Sequence, residues 1–381
     1  MTSRTDQAAQ ADMTARQGRI IAHLTQAGHG RTEPPILQPA AVFLDLAGED
    51  IRARIFLTTG AEGEELCLRP EYTIPVCRAY LASPAAGAVA SFSYLGPVFR
   101  QRAGGPNEFL QAGIESLGRA DREAADAEIL TLALEAAYGA DSGPLTVRMG
   151  DAGLFTALLG ALDLPAAWVR RIKRGHMRGE SLAAMLTPTA NGTSADHSGV
   201  LAALEGVDKK GARALVEDLL SIAGISTVGG RSAGEIADRF LEQAAMKSSH
   251  GVSADKRAVL ERFLAVDGDP DKASVALRAL AKDAKLDLGA ALDAFDARLG
   301  FIAARGLDLS TLVFSANFGR NLDYYTGFVF EAHRPDGEAG RPVIGGGRYD
   351  GLLRRLGASQ DIPAVGAAIW CDRLFAGGEK A

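Results

Sequence analysis

The strand-like segments of this chain gather at its two ends with a long helical stretch between them, and no other feature limits the fold as much. Residues 52–58 (RARIFLT) and 65–68 read as strands around a glycine-rich turn at 60–63. Residues 91–100 and 107–117 are strand candidates joined by the short loop RAGGP. A parallel crossover needs about a dozen linking residues, so this pair is predicted to be an antiparallel hairpin. Strand character recurs at 145–149, 311–315, 327–332 and 364–370. From about 152 to 307 the apolar spacing turns helical, in AGLFTALLGAL, SGVLAALEGV, ARALVEDLLSIAG, AGEIADRFLEQAA, KRAVLERFLAV and LGAALDAFDARLGF. Helices are also expected over 16–27, ending at Gly28, and over 121–138, ending at Gly139. The predicted class is therefore α+β, an antiparallel sheet flanked by helices and interrupted by a helical insertion. The expected division is 1–151 and 311–381 for the two parts of the sheet core, with 152–310 as the insertion.

Composition removes several functional classes. A net charge of −6 and a pI near 5.6 argue against a chain that coats nucleic acid by positive charge. No apolar run has the roughly 18–20 residues of a membrane span, and the first thirty residues lack a signal-peptide core. Cys67, Cys77 and Cys371 form no CxxC pair, and the histidines show no metal-ligand spacing. The expectation is a soluble cytoplasmic protein with no metal and no cofactor. TPTANGTSADHSG (187–199) reads as a loop. GGGRYDG lacks the GxxxxGK[ST] spacing of a phosphate-cradling loop, so a tight turn is expected. The basic run VRRIKRGHMR (169–178) fits a solvated helix face better than a docking or RNA surface.

Polar residues are unusually dense in the strand-like segments. Alternation in LRPEYT puts Arg69, Glu71 and Thr73 on one predicted sheet face, and Gln111 and Glu115 share a face in NEFLQAGIESL. Arg320, Asp323, Tyr324 and Tyr325 cluster in NFGRNLDYYTG. Each unpaired polar group buried dry costs about 1–3 kcal/mol, so the face is either solvated or a polar pocket. The aliphatic and aromatic residues beside it, Leu66, Leu68, Phe109, Ile114, Val329 and Phe330, favour the pocket. Two carboxylates, an arginine, an amide and a phenol suit a zwitterion: carboxylates accept from an ammonium, and a guanidinium holds a carboxylate in a bidentate pair.

In this order, LRPEYT, YLGPVFR, EFLQAGIESLG, RNLDYYTGFVFE, GGGRYDGLL and AVGAAIWCDRL resemble the core of histidyl-tRNA synthetase, a class II aminoacyl-tRNA synthetase. The chain is most similar to a paralogous family, the regulatory subunits of ATP phosphoribosyltransferase. The resemblance implies a histidine site in which Glu71, Thr73 and Gln111 face the ammonium, Arg320 holds the carboxylate, and Glu115 and Tyr325 read the imidazole, with Tyr324 in the same set. It also places Arg100 and Arg373 where synthetases clamp ATP phosphates. Read as residues alone, Arg100 could equally pair with a strand carboxylate and Arg373 could cap a helix. The chain departs from the synthetase pattern at a short loop, 101–106, carrying only Arg102, and at Asn107 and Asn321. It reaches Ala381 soon after DRL, so no anticodon-binding domain is expected.

Three functions follow from these features. A non-catalytic regulatory subunit would bind L-histidine and a short-form ATP phosphoribosyltransferase catalytic subunit, as a homodimer within a hetero-octamer that touches neither membrane nor nucleic acid. An enzyme that activates histidine with ATP for a non-tRNA acceptor would need Arg100 and Arg373. An RNA-binding module would show salt-dependent binding, which the acidic pI disfavours.

Overall fold

The computed structural model of the chain describes residues 4–46, 49–102, 105–187, 251–320, 324–335 and 341–375, together with 214, 218, 227–228 and 231–232. The strands in chain order are β1 (Gly30–Arg31), β2 (Leu37–Pro39), β3 (Leu57–Thr59), β4 (Glu65–Leu68), β5 (Ala90–Phe99), β6 (Glu108–Leu117), β7 (Thr146–Asp151), β8 (Thr227–Val228), β9 (Arg231–Ser232), β10 (Asp267–Gly268), β11 (Leu312–Ser315), β12 (Phe328–His333), β13 (Ile344–Arg348) and β14 (Ala364–Trp370). Nine of them form one sheet in the order β1-β5-β6-β14-β13-β12-β7-β11-β10. Its centre is antiparallel from β5 to β7, while β1 joins β5 and β11 joins β7 in parallel. The α+β class holds, with a mixed sheet. The β5–β6 pair is the antiparallel hairpin that the short RAGGP loop demands.

Period-two alternation divides the sheet into two faces. One face supplies Ala112, Ile114, Met149, Phe330, Ile344, Val365, Ala367 and Ile369 to the main core, against helices Arg4–Gln26, Arg122–Gly139 and Gly289–Ala304. On the other face the register aligns Glu115 with Gly366, Gly366 with Gly347, Gly113 with Ala368, and Ala368 with Gly345. The central strands therefore carry almost no side chain there, which leaves a trough. Residues from neighbouring elements fill it: a Cβ at Gly345 would strike Arg320, at Gly113 Tyr94, at Gly347 Tyr325 and at Gly366 Glu115.

A buried ionic chain ties helices to this sheet. Asp126 of helix Arg122–Gly139 accepts from Arg298 Nε at 2.9 Å and from Arg348 Nε at 2.8 Å. Arg298 also reaches Asp151 at 2.7 Å, and Arg348 reaches Asp350 at 2.8 Å. Removing one member of such a buried set leaves a charge uncompensated, which costs about 3–5 kcal/mol. Helix Gly289–Ala304, which supplies Arg298, packs directly on helix Arg122–Gly139.

Several local expectations fail. Of GGGRYDG only Asp350 and Gly351 form the expected turn; GGGR belongs to strand β13, because the glycines are needed at the trough rather than at a bend. LRPEYT is not a continuous strand: β4 stops at Leu68, two residues before Pro70, and a helix runs over Thr73–Leu81. The strand expected at 52–58 shrinks to Leu57–Thr59, because Glu49–Arg52 is helical. Helix Pro270–Asp283 was not expected, although Asp269 accepts from the Lys272 amide and Pro270 opens the first turn. Residues 188–213, 215–217, 219–226, 229–230 and 233–250, which carry most of the predicted loop and nearly all of the three central helical stretches, lie outside the described residues, as do 103–104 and 321–323, with Asn321 and Asp323.

Candidate functional site

The site is built from the β4–helix connection outwards. Past Leu68 the chain turns at Pro70, and the Glu71 carboxylate accepts from the backbone amides of Thr73 at 2.7 Å and Ile74 at 2.9 Å. These are first-turn amides with no helical partner, so the acid fixes the start of helix Thr73–Leu81. Glu71 and Thr73 thus face the site for a reason other than strand alternation. Arg69, expected beside them, turns away: it donates to the carbonyls of Pro97 and Pro34 and lies 4.1 Å from the Tyr72 ring.

One buried pocket over the trough is lined by Glu71, Thr73, Arg100, Gln111, Arg320, Tyr324 and Tyr325, with Ile51, Tyr349 and Trp370 and the small residues Gly345, Gly366, Ala367 and Ala368. All the expected histidine-binding residues except Glu115 line it directly. Glu115 is wholly buried beneath: its Oε1 accepts from Thr73 Oγ1 at 2.8 Å, and its Oε2 is bonded to the Tyr349 hydroxyl. Its carboxyl occupies the space where a Cβ at Gly366 would lie, so it reaches the pocket floor. Burial pushes the Glu115 carboxyl up to about 8, against the lowering pull of the Tyr349 and Thr73 hydroxyls. Burial likewise raises Glu71, partly offset by the two backbone amides and by Arg100.

Arg320 comes from the segment before β12 and lies across Gly345. Its Nε donates to Glu331 at 3.0 Å and its Nη1 to the Tyr325 hydroxyl at 2.7 Å. Empty space in the pocket is about 30 Å3. That is water-sized, so a larger ligand would require these side chains to move. A larger groove, about 510 Å3, lies between helix Thr73–Leu81 and residues 356–362, but its single ionisable lining residue is Arg78. The smaller pocket is where the chemistry converges.

Arg100 and Arg373 are part of a dense positive cluster beside the pocket. Arg100 is buried, donates through Nε to the Pro70 carbonyl, and is pushed down to about 10 by burial, with Arg54, Arg373 and Arg102 adding to the drop and Glu71 opposing it. Arg373 donates to the Pro342 carbonyl and is also pushed down to about 10, by burial and by Arg102. Arg102 from the hairpin loop pairs with Asp372 at 2.9 Å. Tyr349 and Trp370 were not anticipated. The available signals were the tyrosine directly after the glycine run and the even alternation of Gly366, Ala368 and Trp370.

Among the described residues no group of histidine, cysteine and acidic side chains has metal-site geometry. None of the described helices is long and apolar enough to cross a membrane. The three cysteines are free and buried, with Cys77 on helix Thr73–Leu81. The basic stretch forms helix Ala166–Met177, in which Ile172 and His176 are buried and Arg171 donates to the Met185 carbonyl at 2.6 Å.

The histidyl-tRNA synthetase family model matches residues 5–228 and 211–374. An ATP phosphoribosyltransferase regulatory subunit from Brucella ovis is 46% identical over 353 residues, covering 91% of this chain and 93% of that protein. The Brucella abortus protein of the same name matches equally, at 46% over 353 residues. Among solved structures, an ATP phosphoribosyltransferase regulatory subunit/histidyl-tRNA synthetase from Bacillus halodurans superposes with a TM-score of 0.65 at 22% identity, covering 96% of this chain and 78% of the other. A histidyl-tRNA synthetase from Nostoc gives a TM-score of 0.61 at 17% identity, over 95% and 70% of the two chains. These last two likenesses concern the fold. The chain belongs to the family of ATP phosphoribosyltransferase regulatory subunits, on a histidyl-tRNA synthetase-like fold.

Proposed function

We propose that this regulatory subunit is the histidine sensor of its complex: it activates a short-form ATP phosphoribosyltransferase catalytic subunit, performs no catalysis itself, and transmits feedback inhibition when L-histidine fills the pocket. The supporting observation is the convergence of Glu71, Thr73, Gln111, Arg320, Tyr324 and Tyr325 on one buried pocket with Glu115 at its floor. Glu71, Thr73 and Gln111 receive the ammonium, and Arg320 exchanges its bond with Tyr325 for the ligand carboxylate. Glu115 and the freed Tyr325 hydroxyl then bracket the imidazole. A neutral Glu115 can donate to a ring nitrogen or pass it a proton, leaving an imidazolium–carboxylate pair. Inhibition then requires that histidine bind the inhibited arrangement of the complex more tightly than the active one. The homodimer forms around the extended segment at Pro39, where Ile36 and Leu37 are 40% and 50% exposed. Two such dimers fit within a hetero-octamer.

Calorimetric titration of L-histidine tests the pocket assignment. Wild type binds, and Arg320→Ala loses about 1.5–3 kcal/mol, the value of a hydrogen-bonded charge. Equal affinity in the two proteins would remove Arg320 from the site.

A second reading rests on the arginine cluster of Arg54, Arg100, Arg102 and Arg373, in which burial and the neighbouring guanidiniums lower Arg100 and Arg373, and which suits a phosphate-bearing ligand. In that reading the chain activates histidine with ATP, and histidine-dependent pyrophosphate exchange by the purified chain is its signature.

A further inference from the structure

Two polar atoms at the pocket are buried and have no partner: Gln111 Oε1, an acceptor, and Trp370 Nε1–H, a donor. Gln111 is 2% exposed and Trp370 5%. Buried polar groups are nearly always paired, and leaving one unpaired costs more than the pair would gain. Two such orphans lining one pocket therefore mark positions that a ligand satisfies.

Their placement specifies that ligand. Gln111 on β6 and Trp370 on β14 are direct partners in the antiparallel register, so both project from the same face, with Cα atoms about 4.5–5.5 Å apart. An acceptor and a donor on directly opposed residues suit a ligand that carries groups of opposite character close together. The surroundings assign the ends. The Trp370 ring centroid lies 5.8 Å from the Arg320 guanidinium carbon and 4.9 Å from that of Arg373, so the donor end is positive and takes an anion. Glu71 lines the same pocket and brings a carboxyl group suited to a cation, which leaves the acceptor Gln111 to the positive end of the ligand.

We propose that Trp370 is a specificity-determining residue whose indole N–H donates to the α-carboxylate of the bound amino acid beside Arg320, while Gln111 Oε1 accepts from its α-ammonium. The cross-strand pair thus reads the backbone of the ligand, and Glu115 and Tyr325 read its side chain. This deepens the reading of the pocket as a histidine site and rests on it.

Trp370→Phe keeps an aromatic ring and removes the donor together with part of the bicyclic surface, a loss that the two ligands share. Titrations of L-histidine and of L-histidinol, which lacks the carboxylate, are compared in wild type and variant. The expected result is histidine binding weakened roughly tenfold by the variant, with histidinol binding unchanged. Unchanged histidine affinity, or an equal loss for both ligands, overturns the proposal and leaves Trp370 a packing residue. If wild type binds neither ligand, the reading of the pocket falls, and this inference with it. Trp168 and Trp370 are the only tryptophans, so Trp168→Phe makes indole emission a direct report of Trp370 that needs no change in the pocket. Histidine is expected to alter that emission with the Kd found by calorimetry. Emission that is indifferent to saturating histidine contradicts the contact.

Discussion

Glu115 is the residue on which the pocket's pH behaviour turns. In the unfolded chain its carboxyl titrates near the ordinary value of about 4.3, whereas burial holds it at about 8 in the folded one. Between those values the folded chain keeps a proton that the unfolded chain has lost. This contribution to stability is complete below about pH 4, falls as pH rises through the window, and is flat above about 8. Glu115→Gln removes that titration, so its unfolding free energy relative to wild type should climb between about pH 5 and pH 8. Denaturant unfolding at several pH values checks this; a difference independent of pH would place an ordinary carboxylate at Glu115. Gln111 and Glu115 were legible in the sequence because a strand sorts its residues by parity. Glu71 and Thr73 were found with the wrong geometry, since hydrogen bonding by Glu71 to the two first-turn amides cannot be told from strand alternation over so few residues. Trp370 was missed because an apolar ring in a strand reads as core, and only the packed structure shows its N–H without a partner.

At the scale of the element, the glycine run of β13 and Gly366 of β14 make the trough. Glycine costs a strand stability, and the sequence pattern alone reads GGG as a turn. What it cannot show is the cross-strand register, which sets Gly345 against Ala368 and Gly347 against Gly366. Gly366→Ala would put a methyl group into the Glu115 carboxyl. Overpacking of this kind costs about 1–3 kcal/mol, and here it also displaces the acid from the pocket floor. The expected result is a lowered thermal midpoint together with weakened histidine binding. A variant with wild-type stability and affinity would show that the floor is not closed by Glu115. Helix Pro270–Asp283 is the opposite case: its Asp269–Pro270 start was written in the sequence.

For the whole molecule, the separation of strands to the chain ends was enough to give the α+β class, and the short RAGGP loop gave the central hairpin. The assembly of the sheet was not legible, because β14 inserts between β6 and β13, bringing residues some 250 positions apart in sequence into register. The pocket exists only where those distant strands meet, between the helix started by Glu71 and the segment bearing Arg320. The buried chain Asp151–Arg298–Asp126–Arg348 then fixes two helices to strands β7 and β13. In the proposed function this fold lends histidine sensing to a separate catalytic subunit. The most direct measurement is ATP phosphoribosyltransferase turnover by a purified short-form catalytic subunit, with and without this chain, across a titration of L-histidine. Activity is expected to appear only when the chain is added and to fall as histidine rises. Turnover that ignores the chain, or that the chain raises but histidine does not lower, would contradict it.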